Sequence, residues 1–63
     1  MDCMAEFGEI LAELRQDRKL TQQQLDEKIY VSAATISNYE SGAHLPDVKK
    51  LVSLANFFEV ILI

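Results

Sequence analysis

Several elements that hold very small proteins together are missing from this sequence. It has a single cysteine, Cys3, so no disulfide can form within the chain. Its one histidine has no cysteine or acid at ligand spacing, which argues against a metal site. No run of about 18 apolar residues occurs, so no segment is predicted to span a membrane. The 63 residues, 49% of them hydrophobic, are therefore expected to make one domain around one core, alone or with help from a second subunit.

Further absences exclude whole classes of function. The two glycines cannot make a glycine-rich phosphate loop, and no Ser–His–acid set or pair of carboxylates can be assembled. We therefore expect no enzyme activity, no cofactor and no metal. The segment Met1–Glu6 is acidic where a secretory signal is basic, and a lone thiol suits a reducing compartment. A cytoplasmic location is predicted.

The formal net charge of −4 weighs against binding to nucleic acid, which needs Lys and Arg on the docking face. The ten acids are, however, unevenly distributed. Those before Leu20 are Asp2, Glu6, Glu9, Glu13 and Asp17. Between Leu20 and His44 the acids are Asp26, Glu27 and Glu40. Much of the negative charge thus falls where a first helix faces solvent, which weakens a nucleic-acid function without removing it.

The spacing of apolar residues predicts two helices in the first half of the chain. The first runs from about Ala5 to Arg18. Its apolar stripe, at three- and four-residue spacing, consists of Phe7, Ile10, Leu11 and Leu14. The second helix, from Gln22 to about Ile29, follows Thr21 as an N-cap, with Gln24 three residues on completing a capping box.

Two more helices are predicted in the second half. Ser32 is the candidate N-cap of the third, which Ala33 and Ala34 open and Gly42 ends in a left-handed conformation. Asp47 is the expected cap of the fourth. A broad apolar face on that helix comprises Val48, Leu51, Val52, Leu54, Ala55 and Phe58. No strand-like alternation occurs before Val60, so the fold class is all-α.

The chain ends in four apolar residues, Val60, Ile61, Leu62 and Ile63. They are either the start of a last helix or a short extended tail that packs on a second subunit. An exposed apolar tail is a liability on a monomer. We therefore expect residues 60–63 to be a dimer contact.

The second and third helices, joined at about Ile29–Ser32, make a helix-turn-helix that covers residues 21–41. The side of the third helix turned away from the core would carry small or polar side chains, namely Ala33, Ala34, Ser37 and Asn38. A helix face buried in the core would not consist of these small and polar side chains. A face that is only solvated would carry more Lys and Glu.

With these residues the sequence resembles the helix-turn-helix regulators of the Cro and phage-repressor type. The residues that carry the resemblance are Leu14-Arg15, Leu20-Thr21-Gln22, Leu25, Val31-Ser32, Thr35-Ile36-Ser37, Tyr39-Glu40-Ser41-Gly42, Pro46 and Leu51. The resemblance extends from about Phe7 to Phe58 and implies a compact bundle of four to five helices, within a chain whose residues 1–63 are expected to form that single domain. It also implies a sequence-specific DNA-binding transcriptional repressor, which binds an inverted repeat in double-stranded DNA as a homodimer with helix 33–41 in the major groove.

Residue roles are implied by position. Gln22 would contact a phosphate and brace the third helix, and Asn38 would be the strongest base-reading side chain, since an amide bonds adenine at two points. The other expected DNA contacts are Ser32, Ala33, Ala34, Thr35, Ser37 and His44. Arg15 and Glu40 match positions that form an ion pair between the first and third helices of the family.

Three positions depart from the family pattern. Asp26 stands where alanine is usual, and it is tolerated only if it finds donors such as the first amides of the third helix. Tyr30 stands where glycine often accepts positive φ. Its ring lies at the surface, at a dimer contact or against the core, and packing is the default expectation. The loop after Gly42 lacks Lys and Arg and offers only His44, so the grip on phosphate is predicted to be weak.

Two alternatives remain open. The same fold serves as a protein-interaction module in antitoxins and co-regulators. The acidic composition, the lack of Lys and Arg in the loop after Gly42 and the apolar tail favour this alternative. The second alternative is that the sequence is a fragment of a longer regulator. In that case effector or dimerisation segments lie outside these 63 residues.

Overall fold

A computed structural model describes residues 3–59, with side chains from Ala5 onward, and residues 60–63 lie outside that range. Four helices follow in order within it: α1 (Cys3–Asp17), α2 (Gln22–Lys28), α3 (Thr35–Ser41) and α4 (Val48–Phe58). The described residues contain no strand, which confirms the all-α prediction. No helix among them combines the length and the apolar character needed to cross a bilayer.

One cluster of buried side chains joins all four helices. It consists of Leu11, Leu25, Ile29, Ile36, Tyr39, Leu54 and Phe58. Leu25 and Ile36 are fully buried, and complete burial of such a side chain contributes about 1.5–3 kcal/mol. The predicted apolar face of α4 was too broad, because Val48 is 77% and Val52 41% exposed. Only the side of α4 that carries Leu54 and Phe58 turns inward.

The first three helices end in the same closing turn. A residue with positive φ donates its amide to the carbonyl three residues back, and the next amide bonds the carbonyl five back. The positive-φ residues are Lys19, Tyr30 and Gly42, with φ of 57°, 59° and 82°. Only Gly42 is a glycine, and it ends α3 as the sequence predicts. Lys19 and Tyr30 adopt the same left-handed conformation although they have a Cβ atom, which makes that conformation sterically unfavourable.

The starts of α2 and α4 are capped as predicted. The hydroxyl of Thr21 accepts from the backbone amide of Gln24 at 3.0 Å, and the Gln24 side chain accepts from the Thr21 amide at 2.8 Å. Asp47 accepts from the amide of Lys50 at 2.9 Å. Because this bond favours the charged form of the carboxylate, it lowers the pKa of Asp47.

The start of α3 was predicted wrongly. Ser32 does not cap it, and Ala33 and Ala34 lie in the turn before it, Ala34 with φ of 68°. The left-handed backbone at Ala34 stops the helix from extending further back. Its capping acceptor comes instead from α2, since Asp26 Oδ1 accepts from the amide of Ile36 at 2.9 Å. Asp26 is 4% exposed, so its carboxylate is a buried cap joining α2 to α3.

Helix α1 crosses α3 at a very short distance. A Cβ atom on Gly8 would lie 2.3 Å from the backbone oxygen of Glu40 and 2.8 Å from that of Tyr39. These are backbone atoms and cannot give way as a flexible side chain would. Gly8 therefore sets the separation of the two helices, and the ring of Phe7 packs edge-on against Tyr39 beside it, with centroids 6.5 Å apart.

Candidate nucleic-acid interface

Helices α2 and α3, with the turn at residues 29–34 between them, present one polar surface opposite the core. Ile36 and Tyr39 anchor α3 inward. Asn38 faces solvent and is the exposed amide that α3 offers. Ser37 and Thr35 are half-buried, so each shows only part of its side chain. The hydroxyls and the amide lie on a helix of seven residues whose other side is fixed in the core.

The turn carries the remaining small side chains of this surface. Ser32, Ala33 and Ala34 are exposed, and the carbonyl of Ser32 accepts from the amide of Thr35 at 3.2 Å. The predicted helix 33–41 is therefore shorter than expected. Ala33 and Ala34 are presented by the turn that leads into α3 and not by the helix.

A network of three side chains fixes the end of α3. Arg15 donates to both oxygens of Glu40, from Nε at 2.6 Å and Nη2 at 3.1 Å. Its Nη1 also donates to the carbonyl of Leu20 at 2.7 Å. Gln22 donates from Nε2 to Oε1 of Glu40 at 3.0 Å. The side chains of Arg15 and Glu40 are 13% and 9% exposed, and their hydrogen bonds raise the pKa of Arg15. Glu40 thus ties α1, α2 and α3 together.

Beside the exposed edge of α3 lies a cleft of about 480 Å³. Its lining includes Tyr30, Ser32, Thr35, Asn38, His44, Asp47 and Lys50. The carbonyl of Asn38 accepts from the amides of Ala43 and His44 at 3.0 and 3.3 Å, which holds the loop against the end of α3. The structure therefore brings His44 to the same side as Asn38.

Sequence reasoning missed one residue of this cleft, Lys50, and chose the wrong default for another, Tyr30. Lys50 lies at the edge of the cleft, with Nζ 3.6 Å from Oδ2 of Asp47. The available signal was the basic pair Lys49-Lys50 in the first turn of α4, two and three residues after the Asp47 cap. Tyr30 was expected to pack, which is wrong: its side chain is 94% exposed at the rim of the cleft. The positive φ that the family's glycine implies is present, and the ring points away from the core because the turn places it outside.

Three of the six Lys and Arg residues have partners within the described part of the protein. Of the six Lys and Arg residues, Arg15 is paired with Glu40, and Lys50 lies near Asp47. Arg18 donates to the carbonyl of Phe58 at 3.2 Å and stands over the rings of Phe57 and Phe58. The turn and α3, residues 29–41, contain no Lys or Arg, so this part of the interface is polar and largely uncharged.

The fold and this surface define a helix-turn-helix domain of the kind found in transcription regulators. Comparison with known proteins agrees, since a helix-turn-helix family model matches residues 11–60. The chain belongs to that family, the Cro and phage-repressor type of helix-turn-helix.

Curated relatives carry regulator names. The chain is 46% identical over 55 residues to the HTH-type transcriptional activator BcrR of Enterococcus faecalis, covering 87% of this chain and 27% of that protein. It is 36% identical over 54 residues to the uncharacterized HTH-type transcriptional regulator YqaE of Bacillus subtilis, covering 86% and 47%. It is 40% identical over 50 residues to the uncharacterized regulator YobD of the same organism, covering 79% and 45%. The chain thus spans less than half the length of these relatives. No solved structure is significantly similar to it.

Proposed function

We propose that the domain binds an inverted repeat in double-stranded DNA as a homodimer, reads it with α3 in the major groove, and represses transcription. One observation carries the proposal. The outward edge of α3 is small and polar, and its exposed amide, Asn38, lies on a helix whose end is fixed by Glu40 to both α1 and α2. A side chain that reads bases has to be held within a fraction of an ångström, and such a network does this.

Base contacts are assigned by chemistry and exposure. Asn38 has an amide that bonds N6 and N7 of adenine at the same time, which is worth about 1–3 kcal/mol of discrimination. Ala33, Ala34 and the methyl of Thr35 are apolar groups suited to thymine methyls. Ser37 has a hydroxyl for either kind of base edge. The turn position of Ala33 and Ala34 puts their contacts at the entry of α3 into the groove.

Phosphate contacts come chiefly from uncharged donors. Ser32 and Thr35 offer hydroxyls beside the cleft, and Gln22 keeps one amide hydrogen for a phosphate after donating the other to Glu40. His44, on the loop after Gly42, offers its imidazole ring as a further phosphate contact. Neutral donors position a protein on the backbone without the counterion release that cations give.

A homodimer supplies the second recognition helix, since one short helix makes too few contacts for tight selective binding. We propose residues 60–63, outside the described range, as the contact. The described surface offers an apolar groove of about 240 Å³ between α1 and α4, and its lining includes Phe58, two residues before this tail in the sequence. Ile10 at its edge is 58% exposed. A second copy's tail would cover it. Removal of residues 60–63 should yield a folded monomer in sedimentation equilibrium.

Repression needs only that the bound dimer cover a promoter, whereas activation needs a further surface for polymerase, so repression is the simpler outcome for this domain. A reporter gene behind the selected operator tests the sign. Falling expression with rising protein supports repression, and rising expression would overturn it.

Selection from random duplex DNA tests the main proposal. We expect an enriched inverted repeat, with half-sites about one helical turn apart. Asn38→Ala should weaken binding about 5- to 150-fold and relax selectivity at one position per half-site. Asn56→Ala is the matched control, since Asn56 is an exposed amide on α4 that should leave binding unchanged. No enrichment at low salt would contradict the proposal.

That negative outcome would favour the second candidate, a protein-interaction module. The net charge of −4 and the ion pairs that engage Arg15 and Lys50 support it. In that case a partner should be retained by both the parent protein and Asn38→Ala.

A further inference from the structure

Tyr30 combines two unfavourable features. Its backbone has φ of 59°, in the left-handed region that bulky side chains avoid, and its side chain is 94% exposed. The aromatic pairs and hydrogen bonds described within residues 5–59 do not involve its ring or hydroxyl. The side chain therefore adds nothing to the core, while its Cβ strains the turn that glycine would relax.

Strained residues of this kind concentrate at functional sites, where the surroundings impose the conformation and the side chain has a task. The turn that holds Tyr30 is imposed by two bonds, from its own amide to the carbonyl of Glu27 at 3.3 Å and from the amide of Val31 to the carbonyl of Asp26 at 3.0 Å. The position is therefore fixed regardless of the side chain. The tyrosine side chain is therefore available for a contact with another molecule.

The location of Tyr30 indicates what it contacts. It rims the same cleft as Thr35, Asn38 and His44, ahead of the first turn of α3. In a helix-turn-helix the start of the recognition helix enters the groove, so the turn residues ahead of Ala33 and Ala34 lie toward the sugar–phosphate backbone at the edge of that groove. A phenol hydroxyl is among the groups that donate to phosphate.

We propose that the Tyr30 hydroxyl donates to a DNA phosphate beside the recognition helix and so fixes the register of α3 on the operator. The proposal rests on the DNA-binding function proposed above and adds a contact that glycine at this position cannot make. It also supplies an uncharged grip where the loop after Gly42 has no Lys or Arg.

Tyr30→Phe and Tyr30→Gly test the assignment on the full chain with the selected operator and a scrambled duplex. Tyr30→Phe keeps the backbone and ring but removes the donor, so affinity for both duplexes should fall about tenfold. The salt dependence should not change, because the lost group is neutral. Tyr30→Gly should raise the urea midpoint and yet weaken DNA binding, so that stability and affinity move in opposite directions.

Glu59→Gly is the control for backbone strain. Glu59 is exposed with φ of 59° at the end of α4, so glycine there should stabilise the fold without weakening binding. Unchanged affinity of Tyr30→Phe, with Asn38→Ala still defective, would refute the Tyr30 contact and leave the proposed function intact. Absence of any operator for the parent protein would refute both.

Discussion

Replacing Arg15 by methionine should destabilise the domain far more than the loss of an ordinary surface charge. The guanidinium makes two bonds to Glu40 and one to the carbonyl of Leu20, all between 2.6 and 3.1 Å. Without it, the Glu40 carboxylate, 9% exposed, keeps only the amide of Gln22. A nearly buried charge is then left largely uncompensated.

The magnitude follows from that geometry. Breaking a buried pair by removing one partner costs about 3–5 kcal/mol, and the residual exposure here favours the lower end, about 3 kcal/mol. Scaled by its length, a domain of this size has a total stability of about 3–9 kcal/mol. Arg15→Met should therefore remove a third or more of the stability, with a clear drop in the urea midpoint.

A double-mutant cycle separates this coupling from lost packing. Arg15→Met, Glu40→Met and the double variant are unfolded in urea and followed by circular dichroism. We expect the double variant to be more stable than the sum of the single changes predicts, by about 2 kcal/mol. Lys50→Met, which removes an exposed cation 3.6 Å from Asp47, is the control and should change little. Additivity within about 0.5 kcal/mol would refute the reasoning.

The other stability predictions concern three positions. Gly8→Ala should cost about 1–3 kcal/mol, seen as a lower urea midpoint, because the new Cβ meets the backbone of Glu40 at 2.3 Å. Asp26→Ala should cost about 1–3 kcal/mol by leaving the amide of Ile36 buried without an acceptor, and Asp26→Asn less, since an amide oxygen remains. The pKa of Asp47 is lowered from 3.8 by its bond to the helix amide, so its contribution is present above that pH and is lost as the pH falls below it. The difference in urea midpoint between the parent and Asp47→Ala should accordingly narrow in acid, and a constant difference would contradict this.

Local signals in the sequence were sufficient to predict the helix ends whose caps are formed by neighbouring residues. The Thr21–Gln24 capping box, the Asp47 cap and the glycine after Ser41 each depend on residues within three positions of one another. The helices that they bound were therefore placed within about two residues.

The start of α3 was missed because its determinant is not local. Its acceptor, Asp26, lies ten residues away on the preceding helix, while Ser32 offered a plausible cap next to it. The departure from alanine at position 26 gave the correct hint, since the carboxylate does accept from an amide in the first turn of α3, that of Ile36. The choice between Asp26 and Ser32 as the cap of α3 depends on how α2 and α3 pack in three dimensions, which the local sequence does not specify.

The site shows the same division. The amide of Asn38 faces outward, as the helical pattern requires. Gly8 was overlooked, although an isolated glycine within a helical pattern signals close packing or a functional constraint. For Tyr30 the sequence left a surface position open, but packing was preferred because aromatic residues usually pack. Only the turn geometry shows that this one cannot reach the core.

The distribution of charge leads to a prediction on salt dependence. Arg15 and Arg18 are bound within the fold, and Lys50 is the cation that lines the cleft beside α3. With about one phosphate neutralised per protomer, the slope of log affinity against log salt for a dimer should be about −2. Affinity should then fall about tenfold between 50 and 200 mM salt, against 10³ to 10⁵ for proteins with six to ten phosphate contacts. Fluorescence anisotropy with a labelled operator measures this slope, with Lys50→Gln expected to make it shallower. A slope steeper than about −5 would mean that cations outside this cleft, such as Lys28 or Lys49, carry the grip.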